Sequence, residues 1–241
     1  MHVLFIMLTM SLVPVVMAET WINVENNVST GKIVIDGQEI GNSTGQYLKG
    51  SGKINTISRD LSGYQRIQVG IGAFDVDYKS GKPYSLTITG DDNIIPLIKT
   101  EVSGGELKLS LPRSYSSKIP ITLSIASPEL EAITVEGSST VRLNSIQSSN
   151  LFIHSSGTAD ISASGQVEIL KIRLFGTGDL NLKKLIADEV QVKIEGSGDV
   201  VLTARKSLTA TVSGTGDLVY FGRPKQVDTD ISGVGDIEPG E

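Results

Sequence analysis

The chain has 241 residues, a formal net charge of −6 at pH 7 and no cysteine. This length suits one β-rich domain or two small ones, and the lack of cysteine excludes disulfides and thiol chemistry. A general nucleic-acid binder needs a cationic surface that displaces counterions from phosphates, so the negative charge predicts no nucleic-acid partner.

Residues 1–18, MHVLFIMLTMSLVPVVMA, form an apolar run without acidic residues, lysine or arginine. The run is shorter than the roughly 20 residues of a membrane-spanning helix, and it ends in Ala18, a small residue typical of a cleavage site. We predict a secretory signal that is removed after Ala18; because positive charges are missing before the run, an uncleaved anchor is the alternative. The mature chain is expected in the periplasm or on the cell surface, without spanning the membrane.

Residues 19–50 are rich in Asn, Ser, Thr and Gly and predict a partly ordered lead-in segment. From residue 51 onward we expect a single domain that extends to residue 241. Its first part, residues 64–128, holds strand-like runs of irregular spacing such as YQRIQVG, AFDVDY and YSLTITG, punctuated by prolines. We predict irregular strands that begin the domain and cover its first repeat, with a hairpin projecting near residues 91–125.

Residues 129–239 contain a glycine turn that recurs every 18 to 20 residues. The turns read GSST at 137, GTAD at 157, GTGD at 176, GSGD at 196, GTGD at 214 and GVGD at 233. Such a fixed period is typical of solenoids, in which each repeat covers the apolar face of its neighbour.

Apolar residues alternate with polar ones on both sides of each turn. Two positions before the first glycine stand Val135, Ser155, Leu174, Ile194, Val212 and Ile231. Directly after the aspartate position stand Val141, Ile161, Leu180, Val200, Leu218 and Ile237. Period-two alternation is typical of strands with one buried face. We therefore predict an all-β fold, a single-stranded parallel β-helix with about 19 residues per coil. An antiparallel sandwich is the alternative, although its hairpins would not repeat one residue type at this period.

Several segments together resemble a known family. They are SRDLSGYQRIQVGIG at 58–72, LTITGDDNIIPLIKTEVSGGELKLSL at 86–111, and the GSGD-type turns that follow. The combination is similar to the bacterial head GIN domain family of autotransporter-adhesin-like proteins, over roughly residues 50–238. The resemblance implies a β-helical fold and an exported protein, and it brings no catalytic residue with it.

The turn glycines and aspartates are the clearest candidate positions. We predict structural turns at Gly157, Gly176, Gly178, Gly196, Gly198, Gly214, Gly216, Gly233 and Gly235. Stacked coils would align Asp160, Asp179, Asp199, Asp217 and Asp236 in one column.

A phosphate loop is excluded because each turn opens a strand rather than a helix. Two interpretations stay open: the carboxylates accept hydrogen bonds from amides of their own turn, where glycine supplies positive φ, or the column binds Ca²⁺ as in β-roll repeats. We favour the first and predict no cofactor.

Charged residues on the outer face raise one enzymatic alternative. Lys171, Arg173 and Lys193 would form a small basic patch on adjacent coils, and His154 lies in an outward column. Some β-helical proteins cleave acidic polysaccharides with such residues, so a polysaccharide lyase or hydrolase is our second hypothesis. Exposed strands also carry such residues for solubility, and the histidine lacks partners at a defined spacing.

The combined evidence predicts an exported, adhesin-like binding or structural module of the cell envelope, not an enzyme. Its partners would be an envelope polysaccharide or a surface protein, and lateral packing of the flat faces would allow homo-oligomers. At the C-terminal edge, Asp228, Asp230, Glu238, Pro239 and Glu241 predict protection against edge-to-edge polymerisation.

Overall fold

The computed structural model describes residues 32–35, 38–42 and 48–241. The predicted signal at 1–18 and most of the predicted lead-in at 19–50 lie outside the described residues. Strands β1 (Lys32–Ile35) and β2 (Gln38–Asn42) form an antiparallel pair. Short strands β3 (Leu48–Lys49) and β10 (Tyr115–Ser116) form another two-stranded sheet.

The remaining strands belong to one continuous β-structure, and the described residues contain no α-helix. Its irregular first part comprises β4 (Ile54–Arg59), β5 (Arg66–Val69), β6 (Ala73–Ser80), β7 (Ser85–Asp91), β8 (Lys99–Ser103), β9 (Glu106–Ser110) and β11 (Thr122–Ser127), with a 3-10 turn at Ile95–Leu97. The repeats comprise β12 (Ala132–Val135), β13 (Ser138–Ser155), β14 (Thr158–Leu174), β15 (Leu180–Ile194), β16 (Val200–Val212), β17 (Leu218–Phe221), β18 (Gln226–Ile231) and β19 (Ile237–Pro239).

Successive repeats pair in parallel and in register, so the predicted parallel β-helix is confirmed. Ile153 stands opposite Ile172, and Ile172 opposite Val192, one repeat apart in each case. The long strands β13 to β16 each contain the segment after one turn, the return, and the segment before the next turn. The glycine turns lie between these strands, where the period of the sequence placed them.

The core consists of the inward columns that the alternation predicted. Ile133, Ile153, Ile172 and Leu208 are at most 1 % exposed, while their strand neighbours face outward. Full burial of such a side chain contributes about 1.5–3 kcal/mol. One coil alone cannot bury these residues, so the stability of each repeat depends on its neighbours.

Two parallel sheets form the main walls of the solenoid. Sheet A contains the segments that precede the turns, in the order β18, β16, β15, β14, β13, β12, β5, β9, β8. Sheet B contains the segments that follow the turns, in the order β19, β17, β16, β15, β14, β13, β6, β11, β7, β4. Each sheet begins with antiparallel pairing, β8 on β9 in sheet A and β4 on β7 on β11 in sheet B.

The expected projecting hairpin near residues 91–125 is wrong. Strands β8 and β9 do form a hairpin, but β9 pairs in parallel with β5 and extends sheet A. Strand β11 lies between β6 and β7 in sheet B. The physical reason is burial: Leu107 and Leu109 of β9 and Leu123 of β11 are at most 1 % exposed, so they cover the apolar interior of the first coil.

A buried carboxylate fixes the beginning of this β-structure. Asp91, at the end of β7, is 1 % exposed and accepts a hydrogen bond from the Gly52 amide at 2.6 Å. The Ser117 hydroxyl also donates to Asp91. Because an unpaired buried charge is very costly, these donors account for the burial of an aspartate at this position.

The last coil is less covered than the others. Val227 and Ile231 of β18 continue inward columns, yet they are 43 % and 46 % exposed because no further described coil packs on them. Asp228 and Asp230 lie on the outer side of the same strand. The proposed protection of this edge by charge stays a prediction.

The turn glycines are needed mainly because successive turns approach closely. A Cβ atom on Gly196 would lie 1.9 Å from the carbonyl oxygen of Gly176, and one on Gly214 would lie 1.9 Å from that of Gly196. The expectation that positive φ explains these glycines is therefore wrong for most of them. Gly178, with φ of +112°, is the turn glycine of the predicted set that adopts the left-handed region.

We predict that Gly196→Ala lowers the free energy of unfolding by about 3 kcal/mol, because the new methyl group forces two stacked turns apart. The control is Ser197→Ala in the same turn, where the side chain is exposed and the change is expected within about 0.5 kcal/mol. Urea unfolding followed by circular dichroism measures both. Equal stability of the two variants would contradict the close-approach explanation.

Candidate functional site

The predicted aspartates do form a column. It lies beside the glycine turns, where the sheet B segments begin, and side-chain hydrogen bonds join its members. The backbone amide of Asp179 donates to Oδ1 of Asp160 at 3.1 Å, and that of Asp199 donates to Oδ1 of Asp179 at 3.0 Å. The next two bonds, from Asp217 to Asp199 and from Asp236 to Asp217, are both 2.9 Å long. The first four of these five carboxylates therefore each bind the amide of the next aspartate in the column.

These bonds continue the main-chain ladder through the turn. The amide of Leu180 donates to the carbonyl of Asp199 at 2.8 Å, and the amide of Val200 donates to that of Asp217 at 2.8 Å. At the aspartate itself, the side-chain oxygen takes the place of a main-chain acceptor. We expected the carboxylate to bind its own turn, and that detail is wrong: stacking brings the amide of the following coil within reach.

The column extends further than the sequence indicated. Thr140 pairs with Asp160 on one side and with Asp75 of β6 on the other. Asp75 was missed because the turn before it, VGIG, departs from the repeated pattern. The AFDVDY strand that follows this turn was the available signal.

The aspartate column can be a purely structural corner or a cation site, and a chemical test distinguishes the two. The five predicted aspartates are exposed, and the described residues include no group of three or more His, Cys, Asp or Glu side chains that could hold a metal ion. Unscreened carboxylates at strand spacing repel by about 1 kcal/mol per pair in water. We propose that the amide hydrogen bonds offset this repulsion and that the column is a structural corner.

We predict that Asp199→Ala lowers the free energy of unfolding by about 1–2 kcal/mol, because the Asp217 amide loses its acceptor. Asp199→Asn keeps an acceptor oxygen and removes the repulsion, so its stability should equal or slightly exceed that of the wild type. Thermal melts of both variants and of the wild type, in EDTA and then in excess Ca²⁺, measure the effect. A rise of several degrees with Ca²⁺ in the wild type would instead support a shared cation.

A second cluster lies on the outer face of sheet A. We call it the aromatic–basic patch and define it by Phe152, His154, Lys171, Arg173, Phe175 and Lys193. The Phe152 and His154 rings are stacked with centroids 6.0 Å apart, and Phe175 meets His154 edge-on at 5.5 Å. The Arg173 guanidinium lies 5.9 Å from the Phe152 centroid.

The strand register explains how these side chains meet. His154 of β13 stands opposite Arg173 of β14, and Arg173 stands opposite Lys193 of β15. Phe152 stands opposite Lys171 in the same way. The three cations that the sequence suggested as a patch therefore lie on adjacent coils, and the repeat spacing brings the aromatic rings beside them.

The cations of the patch differ in their partners. Lys193 Nζ lies 3.0 Å from Oε1 of Glu195, so its charge is partly neutralised. Lys171 and Arg173 are exposed and form no ion pair within the part of the chain that the structure describes. These two side chains are free to bind an anion from solution.

The histidine is less exposed than the sequence suggested. His154 is half-buried, and its Nδ1 atom is shielded from solvent without a hydrogen-bond partner among the described residues. Phe152 and Phe175, which shield it, were missed by sequence reasoning. The sequence contained the signal for both. Phe152 precedes Lys171 by one repeat, which places it beside a patch cation, and Phe175 directly follows the inward Leu174, which places it in an outward column.

The fold and these two clusters can be compared with known proteins. Residues 63–224 match the model of a family described as "Putative auto-transporter adhesin, head GIN domain". The chain belongs to the head GIN domain family. The aromatic–basic patch lies within the matched range, as does the column from Asp75 to Asp217, whereas Asp236 follows it.

Three solved structures that are similar to this chain come from Bacteroides and Parabacteroides species. A protein named a putative adhesin from Bacteroides fragilis shares 26 % identity with a TM-score of 0.64, covering 80 % of this chain and 100 % of its own. A putative adhesin from Parabacteroides distasonis shares 20 % identity with a TM-score of 0.49, over 80 % of this chain and 100 % of its own. A further P. distasonis protein, named a putative lipid binding protein, shares 21 % identity with a TM-score of 0.46, over 81 % and 100 %.

No curated protein matches the chain. Among the described residues, no helix has the length and apolar character needed to cross a membrane.

Proposed function

We propose that this head GIN domain protein is an exported, adhesin-like module that binds a polysaccharide or a protein of the cell envelope or of another cell surface. The observation that carries the proposal is the regular outer face of sheet A. Its exposed side chains stand in columns at the strand spacing of about 4.8 Å, and they include aromatic, amide, hydroxyl and cationic groups.

Membership of the family supports a binding role, because the description of the family and the name of the B. fragilis protein both specify an adhesin. A rigid ladder of side chains also suits an extended partner, since a repetitive polymer can contact several coils at once. Preorganised side chains lose little entropy on binding, which favours recognition by a stacked sheet over recognition by a mobile loop.

We predict that the purified exported chain binds a subset of polysaccharides on a glycan array and leaves them uncleaved. Assays for reducing ends and for unsaturated uronate products measure turnover on every ligand that binds. Binding without product supports the module. Product formation would favour the second hypothesis, a polysaccharide lyase or hydrolase of β-helix type. Absence of binding to glycans and to envelope extracts would contradict the proposal.

We also predict export with removal of residues 1–18, so that the mature chain begins at Glu19. Cell fractionation followed by mass spectrometry of the recovered protein measures both location and N terminus. A protein recovered from the periplasm or the surface with Glu19 as its first residue is the expected result. Recovery of the intact N terminus in the membrane fraction would favour the uncleaved anchor, and recovery from the cytoplasm would contradict export.

A further inference from the structure

We propose that the aromatic–basic patch is the binding surface for a carboxylated polysaccharide, an inference that rests on the proposed function and names its ligand class. The patch spans β13, β14 and β15 of sheet A. Three properties support this assignment: unpaired cations, an exposed aromatic ring in a polar column, and acidic residues farther along the same sheet.

The cations select for negative charge. Lys171 and Arg173 project two positions apart on one strand of a protein whose formal net charge is −6. Arg173 lies directly between His154 and Lys193 of the adjacent coils. A guanidinium binds carboxylates through paired hydrogen bonds, and a lysine beside it adds charge without fixed geometry. Together they can bind one carboxylate or two neighbouring ones.

The aromatic rings select for a sugar. Phe175 is 46 % exposed, although its column is otherwise polar. The other members of that column are Glu136, Ser156, Glu195, Ser213 and Ser232. Pyranose rings present a face of C–H groups that packs on an aromatic ring, and aromatic side chains provide large contact area with few rotatable bonds. An exposed phenylalanine beside free cations therefore suits a sugar acid better than inorganic phosphate.

The surrounding charges limit where such a ligand can lie. Glu189 and Glu195 border the patch on β15 and its following turn, and Asp228 and Asp230 lie on β18 of the same sheet. A polyanion is thus attracted by Lys171 and Arg173 of β14 and repelled by the C-terminal coil. The patch lies on the outer face of a sheet and spans three adjacent coils, so an extended chain that lies across the coils fits it better than a small molecule does.

The test uses the purified exported chain with polygalacturonate as the carboxylated ligand and fully methyl-esterified polygalacturonate as its uncharged counterpart. The double variant Lys171→Ala/Arg173→Ala and the single variants Phe175→Ala and Phe175→Tyr probe the patch. Lys99→Ala/Lys225→Ala removes two exposed cations elsewhere and is the charge-matched control. Isothermal titration calorimetry at several salt concentrations gives the affinities, and circular dichroism verifies that each variant is folded.

We expect the wild type to bind polygalacturonate with an affinity that falls as salt rises, and to bind the methyl ester at least about tenfold more weakly. Lys171→Ala/Arg173→Ala should lower the affinity at least about tenfold and flatten the salt dependence, whereas the control pair changes it less than about twofold. Phe175→Ala should weaken binding at all salt concentrations, whereas Phe175→Tyr, which keeps an aromatic ring, should retain the affinity of the wild type.

Three results would overturn the inference in different ways. If the wild type binds glycans but the patch variants match the control, the binding module stands and this surface is wrong. If the ester binds as well as the acid, the carboxylate is not recognised. If polygalacturonate does not bind while vesicles of phosphatidylglycerol do, the partner is an anionic lipid surface. Failure of the proposed function itself would appear separately, as absence of binding across the glycan array and the envelope extracts.

Discussion

The fixed distance between hydrogen-bonded strands is the constraint on which the rest of this structure depends. Every coil lies about 4.8 Å from the next because parallel main-chain ladders require that spacing. Because this distance is fixed, residues one repeat apart stand in columns, and each column faces either the core or the solvent. The apolar inward columns then bury one another, and a polar residue facing inward needs a partner. The period of 18 to 20 residues follows from closing each coil while keeping this register.

The same spacing determines the chemistry of the turns. Two stacked turns approach so closely that a Cβ on Gly176 would lie 1.8 Å from the Gly157 carbonyl oxygen, which excludes every side chain there. One position beyond the second glycine, the carbonyl oxygen of the aspartate accepts from an amide of the preceding coil, and its carboxylate oxygen accepts from the amide of the following coil. Both the glycines and the aspartates are therefore required by the close stacking of successive turns. Their recurrence needs no ligand, although it does not by itself prevent a cation from binding the remaining carboxylate oxygens.

The sequence predicted those features that repeat, and it failed where contacts are not periodic. The inward columns through Ile153 and Ile172 followed from alternation, and the family resemblance agreed with them. The positions of β9 and β11 did not follow, because their pairing with β5 and β6 joins segments far apart in the chain and leaves no periodic trace. The Asp199–Asp217 hydrogen bond also required the real register, since the sequence allows a carboxylate to bind its own turn equally well.

The candidate site illustrates why function is hardest to read in a repeat protein. Inward columns vary little along the solenoid because packing restricts them, so they report the fold. Outward columns are not restricted by the core and are free to vary, so a departure there can report on a surface contact. Phe175 interrupts a column of serine and glutamate, and Arg173 lies between coils whose equivalent residues are His154 and Lys193. Phe175 packs edge-on against His154, and the exposed part of its ring beside Lys171 and Arg173 leaves an apolar surface that a partner can contact. In a stacked β-helix, the outward exceptions to the repeat are therefore the first residues to test for binding.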